Sequence, residues 1–415
     1  RPPHNCVLLE QLQQKHTLYR RGDVERGPTV SSKRVAMNMS WSTFVRLVAV
    51  IVPVSLGCTE APATSQAARH RAFVARVDTL RESDSLFVAR ISRALVTPDG
   101  HLIVTDQVQR RVMEFDATGR PVRSFGRQGD GPGEFQGPTA LTLWGRDSLV
   151  VTDISNRQIS VFRRSDGSFL WRTSGLGSVS SAAPIGERLI VASLSPDPFM
   201  AAIVIDRNTR AGRRVLAVAD SLTRDQLSVA AFPRSVVAAR DGRVVSAFLW
   251  SDVASVYDST LALQFTFAVP RRARRSIPPN LADTLLRVLN GSGRMTLIPA
   301  LMTMEWLGDG RLAFVYKDWI APPEGIADPA RIVMDATLRV YATVVELDRL
   351  QACADVELPA DWAENPHFLS DGRTLAGLGH VVGDSSRPTL ELRRLDLRLE
   401  QCDWQPLAAM RPTHD

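Results

Sequence analysis

Five side chains that lie near the ends of apolar segments could bind a metal ion or act in catalysis. Asp106 and Asp153 close the matching segments LIVTD and LVVTD, and Asp252, Asp318 and His380 stand near comparable places further along the chain. Carboxylate oxygens that converge on one axis are ligands that Ca²⁺ prefers. An Asp in such a place also commonly accepts hydrogen bonds from backbone N–H groups of its own turn. The sequence leaves both interpretations open, a calcium site and a set of turn caps.

Two insertions carry the other candidate binding residues. Residues 269–295 contain a run of arginines and residues 318–339 contain a tryptophan and consecutive prolines. Insertions in repeated folds commonly project from one rim, where ligands bind. The run is either a solvated loop or a platform for an acidic ligand or partner, built from Arg271, Arg272, Arg274, Arg275 and Trp319. Neither a Gly-x-Ser-x-Gly nor a His-Glu-x-x-His motif is present, so no catalytic residue is assigned.

The elements that position these residues repeat six times. A tight polar turn followed by an apolar strand recurs at intervals of 40–68 residues, at 97–106, 143–153, 184–193, 238–248, 307–316 and 369–378. Asp-Gly and Gly-Glu centres suit two-residue hairpin turns, because positions with positive φ favour Gly, Asn and Asp. A second strand pair follows in each copy. Four strands per copy, six times over, predict an all-β, six-bladed β-propeller over residues 70–408.

Residues 70–80 form one further strand ahead of the first copy. We expect this strand to become the outer strand of blade six and so to join the two ends of the ring. On this prediction, Cys353 and Cys402 fall on the outer strands of blades five and six. They can form a disulfide if their Cα atoms approach within about 7 Å, which the sequence does not decide.

A family resemblance rests on the link between the first two blades. This link reads FGRQGDGPGEFQGP (125–138) and is followed by DISNRQISVF (153–162). It resembles NHL-type repeats and is similar to the secreted or lipid-anchored 6-bladed β-propeller proteins of bacteria. The resemblance is specific over about residues 84–175 and generic beyond them. NHL-type relatives include an amidating lyase that holds metals through histidines, which blades one to three lack at equivalent positions.

The N-terminal part looks like an export signal. Residues 37–58 have a polar start, a ten-residue apolar run and a final Gly57-Cys58, as in lipoprotein signals in which the cysteine becomes lipidated. Residues 1–36 have the composition of a mis-assigned upstream extension, and 59–69 are small and polar, as expected for a tether. We therefore expect an exported protein of the cell envelope, anchored through Cys58 to a bacterial membrane.

The charge distribution argues against nucleic acid as a partner. The 415 residues carry a formal net charge of +6, but much of the excess lies in residues 1–36, and the predicted propeller is nearly neutral. We expect a monomeric binding or scaffold module for a protein or glycan, with no cofactor apart from a Ca²⁺ ion at the five candidates above. The alternative is a metal-dependent hydrolase or lyase, of lactonase or amidating-lyase type, that acts at the central channel.

Overall fold

The computed structural model describes residues 70–82, 87–176, 178–194, 200–216, 235–276, 299–320, 336–363, 365–382 and 388–410. The predicted extension 1–36, the signal-like segment with Cys58, the tether 59–69 and much of both insertions lie outside these residues. Within the described part, no helix is long and apolar enough to cross a membrane.

Apolar strands joined by tight turns form six antiparallel sheets, the blades of a propeller. The chain enters with β1 (Phe73–Thr79). Blade one has β2 (Ile91–Val96), β3 (Leu102–Asp106), β4 (Arg111–Phe115) and β5 (Pro121–Phe125). A link with the short parallel strands β6 (Arg127–Gln128) and β7 (Glu134–Phe135) follows. Blade two has β8 (Pro138–Leu143), β9 (Ser148–Asp153), β10 (Gln158–Arg163) and β11 (Phe169–Ser174).

The remaining blades follow in chain order. Blade three has β12 (Ser178–Ile185), β13 (Arg188–Leu194), β14 (Met200–Asp206) and β15 (Gly212–Leu216). Blade four has β16 (Ser235–Arg240), β17 (Arg243–Phe248), β18 (Val253–Tyr257) and β19 (Leu263–Ala268). Blade five has β20 (Ala300–Trp306), β21 (Leu312–Ile320), β22 (Thr337–Glu346) and β23 (Gln351–Leu358). Blade six has β24 (His367–Ser370), β25 (Leu375–Val381) and β26 (Thr389–Asp396). A 3-10 turn (Leu399–Gln401), β27 (Gln405–Pro406) and β28 (Ala409–Met410) end the described chain.

The ring closes as predicted. The six inner strands β2, β8, β12, β16, β20 and β24 neighbour one another in a closed cycle around the central channel. Strand β1 pairs antiparallel with β26, with Phe73 opposite Asp396, and so completes blade six from the other end of the chain. In the closed ring, each blade is apolar on both faces, and a neighbouring blade covers each face.

The predicted hairpin turns have the expected geometry. In blade four, Arg240 pairs directly with Arg243, which leaves Asp241 and Gly242 as a two-residue turn. Both turn residues have positive φ, 50° and 76°, as a hairpin turn of this length requires.

The prediction of four strands in every blade is wrong for blades four and five. Strand β27 adds to the outer edge of β23, and β28 adds to the outer edge of β19. Because β1 already fills the outer position of blade six, the chain after β26 has no place there and runs along the two preceding blades. Leu407, 8% exposed, packs into the core between blades four and five.

The core consists of apolar clusters in the seams between blades. Between blades one and two, Phe135 of the link is fully buried against Phe125 and Phe162. The ring centroids of Phe135 and Phe162 are 5.7 Å apart. Only glycine fits at position 126, because a Cβ there would lie 2.3 Å from Cε2 of Phe135. The glycines of the link thus serve packing, and no phosphate-binding geometry is needed to explain them.

Candidate functional site

Asp106 and Asp153 hold equivalent loops with their buried carboxylates. The Asp106 oxygens accept hydrogen bonds from the backbone N–H groups of Ala89, Val108 and Gln109 at 2.6–3.1 Å. Asp153 does the same in blade two, with four backbone N–H donors 2.8–3.0 Å away, those of Gln136, Gly137, Ser155 and Asn156. Both side chains thus tie the loop before an inner strand to the turn after the second strand, which is the capping role.

Asp252 and Asp318 pair with the arginine run. Arg275 donates to the Asp318 carboxylate through its Nε at 2.8 Å and its backbone N–H at 3.1 Å. Arg271 and Arg274 both form ion pairs with Asp252. Two candidate acids of blades four and five are therefore neutralised by the residues that the sequence analysis placed on a rim platform.

Arg274 is buried, so the prediction that it binds a partner at the rim is wrong. Its side chain has 0% exposure, lies 3.9 Å from the ring centroid of Tyr316, and forms an ion pair with Asp355. Arg271 and Arg272 are about half exposed, and Arg272 lies 4.0 Å from Asp403. Trp319 accepts a hydrogen bond from Arg275 with its backbone oxygen.

Asp355 is a structural residue that the sequence analysis missed. Its Oδ2 accepts hydrogen bonds from three successive backbone N–H groups, those of Arg272, Ala273 and Arg274. The signal was present, since an acidic residue inside the otherwise apolar stretch ACADV must find a partner when buried. The arginine run is therefore a tightly bonded turn and not a solvated loop.

The cysteines meet beside blade five. Cys353 of β23 and Cys402, just before β27, form a disulfide with Cα atoms 5.8 Å apart. The sequence analysis placed Cys402 on blade six, but the last segment of the chain runs back along blade five. His70 lies beside the pair and donates from Nε2 to the carbonyl oxygen of Leu397 at 2.9 Å. These three residues are the one group in the described chain with three potential metal-ligand atoms close together.

A different cluster lies in the central channel. Arg93 of β2 reaches Glu305 of β20 with Nη2 and Oε1 2.7 Å apart, and it also donates to Thr303. Around the ring, β24 separates these two strands, so the ion pair crosses the channel face of blade six. Glu305 also accepts from the backbone N–H of Ser370 at 3.2 Å, which fixes its second oxygen. Glu305 is thus fully engaged by its neighbours.

Lys317 lies between blades five and six, where its side chain reaches the start of β24. The residue is 5% exposed, and its Nζ donates a hydrogen bond to the side-chain oxygen of Asn365, an exposed residue just before β24. No ion pair joins Lys317 to an acid in the described part of the chain; the adjacent Asp318 is taken by Arg275. Burial lowers the pKa of Lys317 to about 8, since nothing there compensates the charged form.

Two histidines border the same place. His367 begins β24, and burial, with the nearby positive charges of Lys317 and Arg93, lowers its pKa to about 3. The imidazole is therefore neutral at neutral pH and can both donate and accept a hydrogen bond. His380 of β25 donates from Nε2 to the carbonyl oxygen of Val88 at 2.8 Å.

We call Arg93, Glu305, Lys317, His367 and His380 the channel cluster. Of the five residues first singled out, the structure brings only His380 to it, and Asp106, Asp153, Asp252 and Asp318 are held elsewhere by backbone or arginine donors. Because Arg93 and Glu305 neutralise each other, the Lys317 ammonium is the charge of this cluster that has no acidic partner among the described residues. The cluster is suited to receive an anionic group.

Comparisons with known proteins agree with this architecture. A family model described as DUF5128, 6-bladed beta-propeller, matches residues 76–174, which span blade one, the link and blade two. The chain is a six-bladed β-propeller. The match covers the region in which the sequence resemblance is specific, while NHL-type character and lipid anchoring stay predictions. A comparison with curated proteins finds no match.

Two solved structures share the fold. A member of the DUF4221 family from Bacteroides vulgatus has a TM-score of 0.59 at 10% identity, over 79% of this chain and 98% of that chain. A candidate exported protein from Bacteroides fragilis has a TM-score of 0.51 at 12% identity, over 79% of this chain and 96% of that chain. At these identities the likeness concerns the fold alone, so function must be argued from the site.

Proposed function

We propose that this chain is an exported binding module that takes an anionic group of its ligand at the mouth of the central channel. The observation that carries the proposal is Lys317, a buried amine with one amide partner and no acidic partner among the described residues. The expected protein or glycan partner is thereby narrowed to one that presents a carboxylate or a phosphate.

The contrast with the other cations supports this assignment. The four arginines of the run 271–275 each have an acidic partner within 4.0 Å, so their charges are already compensated. A buried charge without a partner is costly to the fold. A ligand anion at Lys317 would supply the missing compensation, and a neutral His367 beside it could donate one further hydrogen bond.

The metal-dependent hydrolase or lyase has less support. In the described chain, the one group with three close potential ligands is His70, Cys353 and Cys402, and its two sulfurs are bonded to each other. The carboxylates first considered for Ca²⁺ accept hydrogen bonds from backbone or arginine groups. Calcium binding stays a prediction, which elemental analysis of the purified chain can test.

Export is proposed from the sequence together with one relative. The signal-like residues 37–58 and their final Gly57-Cys58 favour lipid attachment at Cys58 and a place in the bacterial cell envelope. The similar fold of the candidate exported protein from Bacteroides fragilis agrees with this proposal. Metabolic labelling with a fatty acid, in cells that carry the full chain or its Cys58→Ser variant, tests it.

Anion binding can be measured directly by calorimetric titration. The probes are glucuronate and inorganic phosphate, added to the full chain in a phosphate-free buffer of low ionic strength. We expect Lys317→Met to weaken binding at least tenfold and Lys317→Arg to retain it. The matched control Arg272→Met, which removes one exposed positive charge, leaves binding unchanged. Equal affinity in wild type and Lys317→Met, or no binding of either probe, contradicts the proposal.

A further inference from the structure

The chain uses lysine in a way that composition alone does not explain. Its 50 basic residues include only three lysines, Lys15, Lys33 and Lys317, and only Lys317 lies in the propeller. Every other Lys/Arg position of the propeller is arginine. Arginine also serves anion binding, and it keeps its proton at any pH that a folded protein experiences. What a lysine adds is an amine that can lose its proton and become a nucleophile.

The surroundings of Lys317 favour such an amine. Its side chain extends from the second strand of blade five, and its Nζ contacts Asn365, whose own side chain is exposed. The hydrogen-bond partner of the amine is therefore itself in contact with solvent. The neighbouring acid, Asp318, is occupied by Arg275 and does not hold the ammonium form. With a pKa of about 8, roughly a tenth of this amine is neutral at pH 7, against less than a thousandth of an ordinary lysine.

The groups around the amine complete a reaction site. His367 is neutral and can carry a proton between two atoms of a bound molecule. Arg93 lies in the channel and donates to Glu305 and Thr303 from Nη2, and its side chain is 26% exposed, so its guanidinium can donate further hydrogen bonds to an acidic group. His380 is held by the Val88 carbonyl oxygen. The cluster thus offers a nucleophile, a proton carrier and a cation.

We propose that the Lys317 amine condenses reversibly with the carbonyl carbon of an aldehyde or ketone that also carries an acidic group. The nitrogen lone pair forms a C–N bond, and the carbonyl oxygen takes up both amine protons and leaves as water. A C=N bond replaces the C=O bond, so neither an oxidant nor a reductant is needed. The inference rests on the proposed function, because the anionic end of the ligand occupies the same channel cluster.

The experiment traps the imine in the full chain. Glyoxylate, an aldehyde with a carboxylate, is added with sodium cyanoborohydride, and the modified peptides are quantified by mass spectrometry. Nα-acetyl-lysine amide, added to the same sample at the concentration of the protein, serves as the reference amine. We expect the carboxymethyl adduct at Lys317 to exceed that of the reference amine at least tenfold at pH 7. The excess should shrink as the pH rises toward 10.

Two variants separate this inference from anion binding. Lys317→Arg keeps a cation and keeps phosphate binding, but shows no adduct at position 317. His367→Asn forms the adduct several times more slowly, because it removes the proton carrier and leaves the amine in place. Thermal unfolding of each variant verifies that it is folded. If Lys317 reacts no faster than the reference amine while phosphate binding still requires it, the imine is refuted and the binding function stands. If phosphate binding is also independent of Lys317, both the imine and the proposed binding function are refuted.

Discussion

The seam between blades one and two differs from the seam between blades five and six in how polar groups are compensated. In the first seam Phe135 is sealed in an aromatic cluster and Asp153 accepts four backbone N–H groups. Buried Glu114 forms ion pairs with Arg123 and Arg164 and a hydrogen bond with His101 in the same blades. In the second seam Lys317 has a single amide partner and His367 is held neutral.

This difference separates structure from function within one repeated fold. A group that is buried with all its partners stabilises the fold and has no capacity left for a ligand. A group that is buried with too few partners costs stability and is retained where it serves another purpose. Removing a central side chain should therefore lower the folding stability when it lies in the first seam and raise it when it lies in the second.

The largest effect is expected for Phe135→Ala in the first seam. Truncating a fully buried phenylalanine removes its transfer free energy and leaves a cavity, which costs about 3–5 kcal/mol. Chemical denaturation followed by fluorescence measures the loss. Phe87→Ala is the control, because this aromatic is 41% exposed and its truncation should cost far less. Equal losses in the two variants would mean that the link does not seal the blades.

In the second seam, Lys317→Met is expected to stabilise the protein. The folded-state pKa of about 8 lies below the ordinary 10.5, so burying the charged amine costs up to about 3 kcal/mol at neutral pH. Methionine keeps the apolar stem without the charge. The unfolding free energy of the variant should exceed that of the wild type at pH 7.

The pH dependence of this gain has a defined sign. Between pH 8 and 10.5 the unfolded wild type still binds a proton that the native state has released, so wild-type stability rises with pH. The advantage of Lys317→Met should therefore be largest below pH 8 and shrink above it. A gain that is independent of pH would show that the charge of Lys317 is not its cause.

The sequence predicted the repeated elements better than the irregular ones. Asp-Gly turns and the apolar strands that follow them are local signals, and the closing strand follows from counting strands in a ring. The placement of β27, β28 and Cys402 depends on the edges that remain free once the ring has closed, which no local pattern encodes. The few lysines look like a compositional bias in sequence. Only the fold shows that Lys317 lies buried beside His367.

The smallest expected effect is the change in folding stability with pH that His367 causes in the second seam. The folded-state pKa of His367 is about 3 and its ordinary value is 6.5. Between these values the unfolded chain binds a proton that the native chain does not, so wild-type stability falls as pH falls below 6.5. His367→Asn cannot titrate, and its stability relative to wild type should rise by about 2 kcal/mol between pH 7 and pH 5.

The first seam holds a group whose pKa is shifted on the acid side of that window. A hydrogen bond from Arg164 holds the pKa of Asp99 well below its usual 3.8, so its contribution to stability is lost only in stronger acid. Denaturation curves of wild type and His367→Asn are collected from pH 7 to pH 4.5, and the difference between them reports on His367. A difference that stays constant over this range would mean that folding does not lower the pKa of His367.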